Sequence, residues 1–87
     1  MNKLFTDNAW DDYLYWANTN KQILKRINKL IDDIDRHPYE GIGKPEQLKY
    51  ALSGFWSRRI DEEHRIVYQY NEEVEIINFI SFKYHYE

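Results

Sequence analysis

One apolar stripe restricts the folds open to this chain more than any other feature. Ile23, Leu24, Ile27, Leu30, Ile31 and Ile34 recur at helical spacing, while Lys25, Lys29, Asp32 and Arg36 fall on the opposite face. A helix of this kind hides its stripe only against a second layer of structure. Asn18-Thr19-Asn20 supplies a cap in front of it. His37-Pro38 ends it, because proline disfavours α geometry in the residue before it. Upstream, Leu4-Phe5 reads as a short first strand and Thr6 or Asp7 as the cap of an earlier helix. That helix carries Trp10, Tyr13, Leu14 and Ala17 as its apolar stripe and Asp11 and Asp12 in its early turns.

Beyond the two-glycine loop Tyr39-Glu40-Gly41-Ile42-Gly43 the period changes from helical to two. Gln47 to Tyr50, Phe55 to Ile60, Arg65 to Tyr70 and Val74 to Phe82 read as strands, separated by turns at Ser53-Gly54, Asp61-Glu62-Glu63 and Asn71-Glu72-Glu73. The expected architecture is α+β: two N-terminal helices packed on a small antiparallel β-sheet, with residues 1–87 forming one domain. Aromatic residues make up 17% of the 87 residues, which lets a chain this short fill a core with large side chains.

Charge narrows the function. The formal net charge of −3 argues against gripping naked RNA or DNA by bulk electrostatics, since such binders draw on cation–phosphate contacts and counterion release. Yet the acids collect in the turns, whereas Lys49, Arg58, Arg59, Arg65 and Lys83 lie on strands, so a locally positive sheet surface is still open. With no cysteine there are no disulfides and no thiolate metal sites. Met1-Asn2-Lys3-Leu4-Phe5 has no apolar signal region, and no apolar run is long enough for a bilayer. No membrane association and a cytoplasmic location are therefore expected.

Taken one at a time, the polar residues leave alternatives open. Glu46, stiffened by Pro45, is either a solvated loop acid or a directed carboxylate. Arg65 is either salt-bridged to Glu62, Glu63 or a neighbouring strand, or kept for a ligand. Arg58 and Arg59 point to opposite faces of an extended strand, so at most one serves a given groove and the other is expected as a surface charge. His37 reads as a helix-end residue. His64 and His85 are the histidines of the sheet half, and the aromatic neighbours of His85 also suit a packed structural imidazole. No spaced His/Cys/Asp/Glu set calls for a metal, and no glycine-rich phosphate loop or hydrolase motif is present.

Together these residues resemble a family. Gly43-Lys44-Pro45-Glu46-Gln47-Leu48-Lys49, then Leu52-Ser53-Gly54-Phe55-Trp56-Ser57-Arg58-Arg59-Ile60, then Glu63-His64-Arg65-Ile66-Val67-Tyr68 and the closing Tyr84-His85-Tyr86 resemble the YoeB (Txe) toxins of the RelE/ParE toxin–antitoxin superfamily. Trp10-Asp11-Asp12-Tyr13-Leu14-Tyr15-Trp16 and Pro38 extend the likeness over essentially the whole chain. The resemblance implies a cofactor-free endoribonuclease (an mRNA interferase) that cuts mRNA in the ribosomal A site, held in check by a YefM-type antitoxin and able to form a homodimer. On matching positions, Glu46 is the general base, Arg65 the phosphate-stabilising arginine, His85 the general acid and Tyr86 an active-site tyrosine. Lys49 and Arg59 are supporting, substrate-binding cations. One departure is Glu87, which follows a His-Tyr pair that commonly closes the chain in the family and adds an acid there. The competing reading is a non-catalytic binding toxin on the same scaffold, like the gyrase inhibitors of the superfamily. Retention of Glu46, Arg65 and His85 together argues against it.

Overall fold

The computed structural model describes residues 1–84. Strand β1 (Asn2–Phe5) leads into helices α1 (Asp7–Thr19) and α2 (Lys21–Arg36). Strands β2 (Glu46–Gln47), β3 (Trp56–Arg59), β4 (Arg65–Asn71) and β5 (Ile76–Ser81) follow, with a 3₁₀ turn at Tyr50–Leu52 between β2 and β3. The five strands lie in the order β1-β5-β4-β3-β2. Strands β2 to β5 form the expected antiparallel meander. The first strand instead pairs parallel to β5, with Asn2 opposite Ile76 and Phe5 opposite Phe79, so the sheet is mixed. Two intervening helices give the chain the length a parallel return needs.

Both helices begin where local chemistry starts them. Thr6 Oγ1 accepts from the Ala9 amide, and Asn20 Oδ1 accepts from the amides of Gln22 and Ile23. Asn20 closes α1 and opens α2, while His37 caps the far end of α2 through its amide to Asp33 O. The stripe of α2 is buried as expected, with Ile27, Leu30 and Ile34 fully enclosed. Each such side chain contributes about 1.5–3 kcal/mol on leaving water. Helix α1 is turned from its expected face: Ala9 and Trp16 are the buried residues, while Trp10 and Leu14 stay exposed. The Trp16 indole is drawn inward by a partner, since its N–H donates to Phe82 O at 2.9 Å.

The core lies between the helices and one face of the sheet. Ile66 and Tyr68 of β4, Ile77 and Phe79 of β5, and Phe82 meet the helical stripe there. Side chains alternate across a strand, so Ser57, Arg59, Arg65 and Val67 point to the other face. A bulge where Val67 faces Ser81 and Tyr68 faces Phe79 lets Ser81 join that second face. No helix of the described residues is long and apolar enough to cross a membrane.

Candidate functional site

Neighbouring residues on β3 meet opposite fates. Arg58 is fully buried on the helix side, which corrects the expectation that the arginine left out of the groove would be a surface charge. The loop 37–43 wraps around it. Its Nε donates to Tyr68 Oη at 3.2 Å, one terminal nitrogen to Asp33 Oδ2 and to Ile42 O at 3.1 Å, and the other to His37 O and to Glu40 O at 2.8 Å. All five guanidinium donors are thereby used. Asp33 also accepts from the Ile42 amide at 3.1 Å. Partial burial pushes its carboxyl upward, but hydrogen bonds from Arg58 and Ile42 and the Arg58 charge outweigh burial and hold it below the ordinary 3.8. Burial raises the Tyr68 phenol, which donates to Pro38 O at 2.6 Å. The two loop glycines mark the close approach. At Gly41 (φ 126°) a Cβ would collide with the Asp33 carboxylate, and at Gly43 (φ 81°) with Leu30.

The helix-free face carries three of the candidate residues. Register sets Glu46 opposite Ser57, Ser57 opposite Val67, and Arg59 opposite Arg65. Paired residues share a face, so Glu46, Arg59 and Arg65 lie on one surface. The carboxylate row and the arginine row are separated along the strands by about 7 Å, and Glu46 and Arg65 by two strand spacings, about 10 Å across. Long side chains span such gaps. Glu46 and Arg59 are exposed, whereas Ser57 and Val67 between them are buried and make a firm floor. Lys49 lies past the end of β2, exposed, just before the 3₁₀ turn, and no strand pairing ties it to the other cations.

Among the described residues Arg65 does not form the salt bridge of its alternative reading. Its Nη1 donates to the carbonyls of Asp61 (2.8 Å), His64 (3.0 Å) and Glu62 (3.4 Å). The turn that presents these carbonyls is itself fixed, because Asp61 Oδ1 accepts from the amides of Glu63 and His64. Among the described residues the salt bridges join Asp35 and Asp33 to Met1, Lys3 and Arg58, and none includes Arg59 or Arg65. Arg59 and Arg65 thus sit opposite one another on β3 and β4, and among the described residues neither pairs with a carboxylate, an unfavourable placement of like charges in isolation. Facing arginines of this kind suit an anion with several oxygens.

His85 and Tyr86 lie outside the described residues, as does Glu87. The residue before them is anchored: Tyr84 donates its amide to His64 Nδ1 at 2.8 Å and accepts at its carbonyl from the Arg65 amide at 2.8 Å. His64 is buried, packed edge-on against Trp16 with ring centres 4.9 Å apart.

Comparison with known proteins agrees with this layout. Residues 5–86 match the family model for YoeB-like toxins of bacterial type II toxin–antitoxin systems. Toxin YoeB of Escherichia coli K12 is 54% identical over 86 residues, covering 99% of this chain and 100% of the relative. The YoeB/ParE toxin of Agrobacterium tumefaciens superposes with a TM-score of 0.95 at 41% identity, covering 99% of this chain and 100% of that one. YoeB of Staphylococcus aureus, solved as a heterotetramer with YefM, superposes with a TM-score of 0.89 at 46% identity over 99% of this chain and 98% of that one. The same S. aureus toxin, solved as a dimer, gives 0.90. Likeness of this extent in both sequence and fold places the chain in the family of YoeB-like toxins of bacterial type II toxin–antitoxin systems.

Proposed function

We propose that this toxin is a ribosome-dependent mRNA endoribonuclease, acting in the cytoplasm, that cleaves in the A site by metal-free acid–base chemistry and so stops translation. The observation that carries this reading is the pair Arg59–Arg65, facing each other on the helix-free surface beside Glu46 without a compensating carboxylate among the described residues. Phosphodiester cleavage by the substrate's own 2′-hydroxyl needs a base for that hydroxyl, an acid for the departing 5′-oxygen, and positive charge where the nonbridging oxygens gain negative charge. Glu46 takes the 2′ proton, His85 protonates the leaving oxygen and Arg65 stabilises the phosphorane-like transition state. Lys49 and Arg59 hold flanking phosphate, and Tyr86 positions the nucleotide. The 2′-oxygen bonds to phosphorus as the phosphorus–5′-oxygen bond breaks, leaving a 2′,3′-cyclic phosphate that water can open to a 3′-phosphate.

The net charge of −3 supports dependence on the ribosome, which supplies the orientation that bulk attraction cannot. A YefM-type antitoxin neutralises the toxin by laying an acidic segment over the arginines, and a homodimer is an available state, as in the S. aureus relatives. Single-turnover cleavage of a message on programmed ribosomes, beside the same message free in solution, tests the function. Cleavage on ribosomes, ending in a cyclic or 3′-phosphate and abolished by a 2′-deoxy nucleotide at the cut, is the expected result. Equal rates on free RNA would remove the ribosome from the account. Intact messages with damaged DNA in expressing cells would return the chain to a binding-only toxin.

A further inference from the structure

The aromatic and acidic stretch of α1 is not accounted for by catalysis or by helix stability. Its use becomes visible where the chain leaves β5. A strand end normally frays, but here side chains take the backbone polar groups in succession. Ile80 O accepts from Thr6 Oγ1 at 3.0 Å and Asn8 Nδ2 at 3.1 Å. The Phe82 amide donates to Asp12 Oδ2 at 2.9 Å, and its carbonyl accepts from Trp16 Nε1 at 2.9 Å. The Tyr84 amide donates to His64 Nδ1, and its carbonyl accepts from the Arg65 amide.

Asp12 and Trp16 are four residues apart, so one helix face presents an acceptor and a donor to the two polar groups of a single residue. The Phe82 ring is fully enclosed in the core and fixes the register between them. His64 Nδ1 accepts, so the imidazole holds its proton on Nε2. Tyr84 has φ 60°, a left-handed conformation uncommon outside glycine that persists only where the surroundings impose it. The bonds on both sides of Tyr84 impose it here.

We propose that Asp12, Trp16 and His64 are positioning residues for cleavage: by fixing the backbone at Phe82 and Tyr84 they support the chemistry assigned above to His85 and Tyr86. This rests on the nuclease reading above, with His85 as the acid. A purely structural role predicts loss of stability with cleavage by the folded fraction unchanged. A positioning role predicts a fall in kcat with KM retained, because the transition state and not the ground state needs the acid in place.

His64→Gln keeps a polar group near Nε2 but offers no acceptor at Nδ1, whereas the Oδ1 of His64→Asn lies near the Nδ1 position. Single-turnover cleavage on programmed ribosomes, with hydrogen exchange at the Tyr84 amide and with His85→Ala as reference, separates the possibilities. Expected are a fall in cleavage on the order of 100-fold for His64→Gln, recovery of most of the rate in His64→Asn, and faster Tyr84 exchange in His64→Gln alone. Trp16→Phe, which keeps the ring and removes the N–H, gives a smaller loss in the same direction. Wild-type cleavage by His64→Gln beside an inactive His85→Ala would overturn the proposal, as would equal losses in His64→Gln and His64→Asn. If the wild-type protein leaves the message intact, the nuclease reading fails instead; if His85→Ala cleaves normally, His85 is not the acid; and unchanged Tyr84 exchange in His64→Gln would overturn the anchoring.

Discussion

Arg58 and Arg59 share a residue type and a peptide bond, and they differ in almost everything else. Arg58 turns toward the helices, is fully buried, and spends every donor on Asp33, Tyr68 and the carbonyls of loop 37–43. Arg59 turns to the helix-free face, opposite Arg65, with no carboxylate paired to either among the described residues. A buried charge must be paired to be tolerated. Like charges set opposite each other, one exposed and one half-buried, are mildly unfavourable to the fold. The helix side of β3 therefore holds the fold, and the other side carries the proposed substrate surface. Residue type did not separate these roles, but compensation does.

Substitutions on the two faces should divide the same way. The largest expected effect is on activity. Glu46→Ala removes the proposed general base and should slow single-turnover cleavage about 10²–10⁴-fold, while urea unfolding stays within about 0.5 kcal/mol of wild type, since Glu46 is exposed. A near-normal rate would take the base role from Glu46. On the other face, Asp33→Ala strands a buried guanidinium and should cost about 3–5 kcal/mol in urea unfolding, with cleavage by the remaining folded protein little changed. A loss under 1 kcal/mol, or a cleavage defect at full stability, would blur the division between the faces.

Acid sharpens the contrast. The Asp33 carboxyl is held below its unfolded value of 3.8, so its contribution is fully present above that pH and is lost as pH falls through the lower folded value. Wild-type stability should drop in that acid range, and Asp33→Asn, weaker at neutral pH, should show a flatter profile there. The smallest effect is expected at Ser81. Its hydroxyl is buried beside Val67 with no hydrogen-bond partner among the described residues, so Ser81→Ala should be neutral or stabilising by up to about 1 kcal/mol. A clear loss on denaturation would mean that the hydroxyl has a partner after all.

The parts legible in the sequence are those encoded locally. The α2 stripe, the Asn20 cap, the stop at Pro38 and the alternation along β3 to β5 need only neighbours a few residues apart. Other features depend on distant partners. Arg58 finds its carboxylate 25 residues away at Asp33, and its only local sign is the pair Gly41 and Gly43, which leave room for the approach. The parallel pairing of β1, the shortened β2 and the turned face of α1 likewise depend on β5, on the 3₁₀ turn and on Phe82 O. Of the candidate site, register brings Glu46, Arg59 and Arg65 onto one face, as their strand positions allow. Lys49 lies beyond the strand, and His85 and Tyr86 lie outside the described residues. His64 was visible as a sheet-side histidine, but its hold on Tyr84 needed the tertiary fold.

The claim that uncompensated charge marks the catalytic face is tested most directly at Arg65. Cleavage on programmed ribosomes and urea unfolding should be measured together for Arg65→Ala and Arg65→Lys. The account predicts a fall in cleavage of about 10²–10³-fold for Arg65→Ala, partial recovery in Arg65→Lys, and unfolding free energies near wild type. Retained cleavage in Arg65→Ala, or a loss that tracks instability alone, would contradict it.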